Sequence, residues 1–265
     1  MLKLKAITKI FARGTIDEVT ALDGVNLNVD SEDYIAVIGS NGAGKSTLLN
    51  IIAGVYPPES GQIILNGRDI TCLCEYMCAN HVGRVYQDPH VGTAAKMTIE
   101  ENMAMALLRG QPRGLRPASS KQRREMFRAA LAPLGLGLEK RLGALVGTLS
   151  GGQRQALALV MATMSNPAML LLDEHIATLD PRTAKTVLDL TDMIVKREKM
   201  TTLMVTHNMD LALKYGNRLI MMHQGKIVVD LDQGKKTGLT IGDLVAYFEQ
   251  AAGRKFVDDK VLLRE

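Results

Sequence analysis

Val25, Leu27 and Val29 are each separated by a polar residue. That period of two predicts a strand with one buried face. Tyr34-Ile35-Ala36-Val37-Ile38 is apolar without a break, the pattern of a strand buried on both faces. Residues 1–38 therefore read as β-rich. Helical spacing takes over in Leu48, Leu49, Ile51 and Ile52, across Ser46 to Ala53. Gln62 to Leu65 with Asn66-Gly67 predicts a short hairpin. Between 88 and 165 helical patterns dominate, in Ile99 to Leu108 and Arg123 to Leu134. From 168 the pattern alternates: strand at Met169 to Leu172, helix at Pro181 to Lys196, strand at Thr202 to Thr206. Such β-α-β succession predicts a parallel sheet faced by helices. Ile220 to Met222 and Ile227 to Val229 frame Gln224-Gly225-Lys226 as a closing hairpin, and Ile241 to Ala252 predicts a last helix.

No stretch of this pattern reads as a membrane span. The longest uncharged run, Ala156 to Leu172, is broken by Ser165-Asn166-Pro167, and a proline there ends a helix. MLKLKAITKI alternates like a strand and lacks the apolar run of a signal peptide. The 265 residues allow one large or two modest domains, and 46% apolar content supports a sizeable core. A net charge of +4 is too weak to argue for nucleic acid. The stretch RGQPRGLRPASSKQRR, residues 109–124, reads as a solvated basic loop. Binding anionic lipid or a partner is the sharper alternative.

All three cysteines lie in CLCEYMC, residues 72–78, which points to a reducing compartment rather than a disulfide framework. Read as a helix, this stretch puts Cys74, Cys78 and His81 on one stripe, with Cys72 about 160° away from Cys74. Ligands from one helix make an incomplete cage for structural zinc. The favoured reading is incidental thiols, with Leu73 and Met77 facing inward; a redox influence on nearby Gln87 is the alternative.

Chemistry concentrates elsewhere. Gly39-Ser40-Asn41-Gly42-Ala43-Gly44-Lys45-Ser46-Thr47 fits G-x-x-x-x-G-K-[ST] between a buried strand and a helix. Glycines let backbone curl around phosphate, and the exposed N–H groups with the helix N-terminus bind the anion. Lys45 can reach the outer phosphates, and the Ser46 hydroxyl can ligate Mg²⁺. Leu170-Leu171-Leu172-Asp173-Glu174 ends an apolar strand in two carboxylates. Asp173 suits the metal side of the site, and Glu174 can polarise an attacking water.

Three further elements narrow the class: Leu149-Ser150-Gly151-Gly152-Gln153, opening a helix from Arg154; Gln87 in Val85-Tyr86-Gln87-Asp88-Pro89; and His207 after Leu203 to Thr206. With these in this order, the chain resembles the nucleotide-binding subunit of ABC transporters, from about residue 2 to residue 230, most similarly the stand-alone bacterial subunits of amino-acid-type uptake systems. The resemblance implies an α/β fold, a P-loop NTPase (RecA-like) core with an N-terminal antiparallel β subdomain and an inserted α-helical subdomain. Residues 1–87 and 166–230 would form the core with the β subdomain, 88–165 the helical subdomain, and 231–265 a short C-terminal extension.

The resemblance also implies roles. Residues 39 to 47 would bind ATP, with Phe11 stacking on adenine, although Arg13 to Thr20 looks like an inserted hairpin there. Ser150, Gly151, Gly152 and Gln153 would close over ATP on a second subunit in a head-to-tail dimer, identical or pseudo-symmetric. Leu179 and Asp180 would lie at that dimer interface. Ser46, Gln87 and Asp173 would hold Mg²⁺; Glu174, His207 and Gln87 would be catalytic. The family often has a proline and then Ser-Ala-Leu-Asp after the acidic pair. This chain has His175-Ile176-Ala177-Thr178-Leu179-Asp180, and the missing serine bears on dimer hydrogen bonding. His175 as an added base is a weaker alternative. The implied partners are integral membrane permease subunits and a substrate-binding protein, with no nucleic acid. The implied place is the cytoplasmic face of the inner membrane. Rival readings are an exporter or lipoprotein-extracting system, and a soluble non-transport ABC ATPase.

Overall fold

The computed structural model describes residues 1–110 and 120–252. In chain order the elements are β1 (Leu2–Phe11), β2 (Val19–Val29), β3 (Tyr34–Gly39), α1 (Lys45–Ile52), β4 (Ser60–Leu65), β5 (Arg68–Asp69) and α2 (Glu75–Cys78). Next come β6 (Val82–Val85), α3 (Ile99–Leu107), α4 (Lys121–Leu131), α5 (Gly151–Thr163), β7 (Met169–Asp173) and α6 (Pro181–Arg197). The chain closes with β8 (Thr201–Val205), α7 (Met209–Lys214), β9 (Arg218–His223), β10 (Lys226–Leu231), α8 (Gln233–Lys236) and α9 (Ile241–Ala252). Two units result: Met1–Cys78 together with the chain from Lys199, and Ala79–Glu198.

The first unit holds an antiparallel sheet in the order β2-β1-β4-β5. Leu2 pairs with Val29 and Leu4 with Leu27, and these residues are buried with Ile7 and Val25. The period of two is thus one sheet face against a core. Ile10 pairs with Thr20 and Phe11 with Val19. Residues 12–18 are therefore the tip of the β1–β2 hairpin. In the same unit β3 lies between β8 and β9, parallel to both, and β10 pairs antiparallel with β9. Ile35, Ala36 and Val37 on β3 are fully buried. The Ile35 and Val37 side chains each contribute roughly 1.5–3 kcal/mol by leaving water, which is why this strand reads as an unbroken apolar run.

In the second unit β6 and β7 run parallel, from Val82↔Met169 to Val85↔Leu172. Thr98 caps α3 in a reciprocal box with Glu101. Asn102, fully buried, accepts from Ala94 N at 2.8 Å and so ties the preceding loop to α3. Two boundaries differ from expectation. Ser120 caps α4, so KQRR opens a helix, its Arg124 paired with Glu100 at 2.8 Å. Residues 111–119 of that basic stretch lie outside the described residues. At the other end α4 stops at Leu131, and Ala132–Leu134 is a single 3₁₀ turn around Pro133, since proline supplies no N–H to continue the ladder.

The cysteine stretch also departs from expectation. Only Glu75–Cys78 is helical. Cys78 faces inward, 1% exposed, while Met77 is 41% exposed. The Cys78 thiol lies 3.6 Å from Leu73 O, and burial raises its pKa. One helical turn is too short to present the two-turn stripe that the spacing implied. Cys72 and Cys74 are exposed.

Candidate functional site

The phosphate-loop half belongs to the first unit. β3 ends at Gly39, and α1 opens behind Gly44, whose φ of 98° is left-handed. A Cβ at Gly39 would overlap Met222 O, and one at Gly44 would overlap Ala21 O. Gly225 N donates to Ala43 O at 3.1 Å, so the β9–β10 turn braces the loop. The glycines are required by this packing as well as by the curl around a phosphate. Gly42, with φ 75°, faces open space. Lys45 is 6% exposed; its Nζ donates to Gly39 O at 2.8 Å and Ser40 O at 3.0 Å. The ammonium is thereby held over the loop that a phosphate would enter.

β8 pairs in parallel with β3, Val37 opposite Val205. His207 follows β8 and so leaves the same carboxyl end as residues 39–45, the end where parallel sheets bind ligands. Thr206 N donates to Val37 O, and Asn208 caps α7, so the turn carrying His207 is anchored on both sides. Phe11, at the end of β1, packs edge-on against Tyr56 at 5.3 Å between centroids. Lys9 Nζ lies 5.4 Å from the Phe11 ring and bonds Glu59 and Pro57 O. Tyr56, 38% exposed, gave no sequence signal because nothing in the chain order links it to Phe11.

The acidic half belongs to the second unit. Val85 and Leu172 are opposite one another on β6 and β7, so Gln87 and Glu174 each follow two residues beyond that pair. Gln87, Asp173 and Glu174 thus emerge together, with Gln87 exposed. Thr178 Oγ1 lies 3.5 Å from Gln87 O. Asp173 Oδ2 accepts from Arg84 Nη2 at 2.9 Å, with side chains 14% and 11% exposed. Arg84 also stacks on Tyr86, 4.5 Å from guanidinium carbon to ring centroid. Arg84 was missed, though a lone charge inside the buried run Val82 to Val85 was a visible signal. Glu174 has φ 43°, a left-handed backbone that costs a non-glycine residue about 1–3 kcal/mol. His175 is 1% exposed and its pKa is pushed down to about 4 by burial. Its ring is enclosed and turned to Thr191, out of reach of an attacking water, which argues against it as an added catalytic base.

The signature turn lies in the same unit. α5 begins at Gly151, three residues before the expected Arg154, and Ser150 is its cap. Ser150 Oγ accepts from Gln153 N, and Gln153 Oε1 accepts from Ser150 N, both at 3.2 Å. A Cβ at Gly152 would overlap Thr183 Cγ2, so this glycine lets α5 and α6 approach. Ser150, Gly152, Gln153, Arg182 and Thr183 line an open pocket of about 240 Å³. A helix N-terminus with an arginine beside it favours an anion. Gln155 Nε2 donates to Tyr86 O at 2.9 Å, and Arg154 Nη1 lies 2.6 Å from His90 Nε2. These two bonds bracket Gln87 from α5. Leu179 lies close to Gly151, while Asp180 Oδ1 accepts from Thr183 N as the cap of α6.

Likeness to known proteins decides the class. Residues 22–177 match the ABC transporter family model. The chain belongs to the ABC transporter family. It is 43% identical, over 95% of its own length and 100% of the other's, to the tyrosine transport ATP-binding protein of Clostridioides difficile. It is 32% identical, over 97% of its length and 70% of the other's, to the methionine import ATP-binding protein MetN of Vibrio cholerae. A dimeric ATP-binding cassette, MJ0796, solved with ADP and phosphate, superposes with a TM-score of 0.74 at 28% identity, over 88% of this chain and 99% of that one. The ABC chain is thus an ATP-binding transporter subunit and an ATPase, on the P-loop fold expected. Among the described residues, no helix is long and apolar enough to cross a membrane.

Proposed function

We propose that this ABC subunit powers a separate bacterial permease for uptake of a small solute of the amino-acid class. The supporting observation is its 43% identity to a tyrosine transport subunit along nearly the whole chain. Two copies, or two similar subunits, assemble head-to-tail around two ATP molecules on the cytoplasmic face of the inner membrane. A substrate-binding protein delivers the solute.

In this reading residues 39–47 wrap the phosphates, Lys45 moves from its carbonyl partners to the outer phosphate oxygens, and Phe11 stacks on adenine. Ser46, Gln87 and Asp173 offer only oxygen donors, which suit Mg²⁺, and a cation, the Arg84 guanidinium, already sits against Asp173. The ion, when bound, offsets phosphate charge. Glu174 takes the proton of the attacking water, and His207 and Gln87 orient the γ-phosphate and that water. Ser150, Gly151, Gly152 and Gln153 close over the nucleotide of the opposite subunit, with Leu179 and Asp180 at the interface. ATP closes the dimer, hydrolysis reopens it, and the permease alternates between its two orientations.

Purification of the tagged chain from membranes in mild detergent tests this. A co-purifying multi-span permease with a substrate-binding protein is expected. A permease without a binding protein would overturn the uptake assignment, and a ribosome or nucleic acid would overturn the transport role.

A further inference from the structure

Three observations meet one residue past the proposed base. Glu174 has a left-handed backbone, φ 43°. His175, next in the chain, is 1% exposed, with its Nε2 3.1 Å from Thr191 Oγ1 on α6. Thr191 is fully buried, and its hydroxyl donates to Val187 O at 2.8 Å. A threonine hydroxyl has one proton. With that proton on Val187 O, Thr191 Oγ1 is the acceptor and His175 Nε2–H the donor. His175 Nε2 is thereby fixed as a donor, and the ring is enclosed.

Backbone held in a sparsely populated region persists only where its surroundings over-determine it. On the amino side of Glu174 stands the buried strand β7, with Asp173 tied to Arg84. On the carboxyl side Ala177 N donates to Glu174 O at 3.0 Å, a turn that any sequence could make. A buried side-chain anchor on that side is His175, bonded to Thr191 on α6. We propose that His175 is a positioning residue: its bond to Thr191 fixes the backbone of Glu174 and hence the direction of the carboxylate toward the attacking water. His175 does not touch the reacting atoms. A histidine suits the position because its ring reaches Thr191 from an enclosed site and presents a donor there.

This inference rests on Glu174 as the base. The test uses the full chain with saturating MgATP, and measures kcat, nucleotide affinity by fluorescent-ATP titration, and thermal unfolding. Thr191→Val keeps volume and removes the acceptor; His175→Phe removes the donor; His175→Gln keeps a donor. We expect Thr191→Val and His175→Phe each to lower kcat about tenfold with nucleotide affinity within twofold. The double variant should be no slower than either single, because both delete one bond. His175→Gln should recover most of the rate. Should His175→Phe fail to fold, the volume-conserving Thr191→Val decides alone. A kcat within twofold of the parent in the folded variants overturns the inference. So does a joint loss of kcat and affinity, or losses that multiply in the double. A Glu174→Gln chain that still hydrolyses at the parental rate overturns the underlying reading instead.

Discussion

The two units present their chemistry in different ways. In the first, residues 39–45 act through backbone: the shape is set by Gly39 and Gly44 packing against Met222 O and Ala21 O. In the second, side chains are held by partners: Asp173 by Arg84, Ser150 by the Gln153 cap and, in the proposed reading, Glu174 through the His175–Thr191 pair. A backbone device tolerates little change at any of its glycines. A side-chain device can be loosened one bond at a time, leaving binding intact while turnover falls.

The sharpest way to break the comparison is at the loop. Lys45→Ala should cost at least about a hundredfold in nucleotide affinity, read by fluorescent-ATP titration. A Kd within a few fold of the parent would place phosphate recognition elsewhere. In the other unit, changes should spare affinity.

Acid should expose the second unit next. His175 has a folded pKa of about 4, below its ordinary 6.5. Between those values the unfolded chain binds the extra proton and the folded one does not, so stability rises with pH there. The contribution is intact above pH 6.5 and is lost as pH falls toward 4, by up to about 3 kcal/mol. Urea melts across this window should show the loss in the parent. It should shrink in His175→Gln; an unchanged slope would mean another group carries it.

Arg84→Met should have a smaller effect. Removing one partner of a buried pair is destabilising, and the slight exposure at Asp173 brings the cost to roughly 2 kcal/mol. Thermal unfolding measures it. No change in melting temperature would mean the pair is replaced by solvent at no cost.

This contrast also explains what the sequence made legible. The loop and β3 were readable because glycine spacing and an apolar run are local facts. The order of Gln87, Ser150, Asp173 and His207 carried the family. The cysteine stretch misled because spacing assumes a helix long enough to have a stripe, and Glu75–Cys78 is one turn. Arg84, Thr191 and Tyr56 were silent because their meaning lies in partners distant along the chain: Asp173, His175 and Phe11. His175 reads as reactive beside Glu174, whereas the fold encloses it against Thr191 on α6. Gly152 read as a ligand contact and is also required by the approach of Thr183.

Glu174 is proposed as the base that takes the proton of the attacking water. Glu174→Gln tests it most directly, with ATP hydrolysis and ATP-dependent dimerisation followed on the same sample by phosphate release and analytical ultracentrifugation. The account predicts parental ATP affinity, hydrolysis slowed about 10²–10³-fold, and accumulation of an ATP-bound dimer. Hydrolysis at the parental rate, with no dimer accumulating, would contradict it.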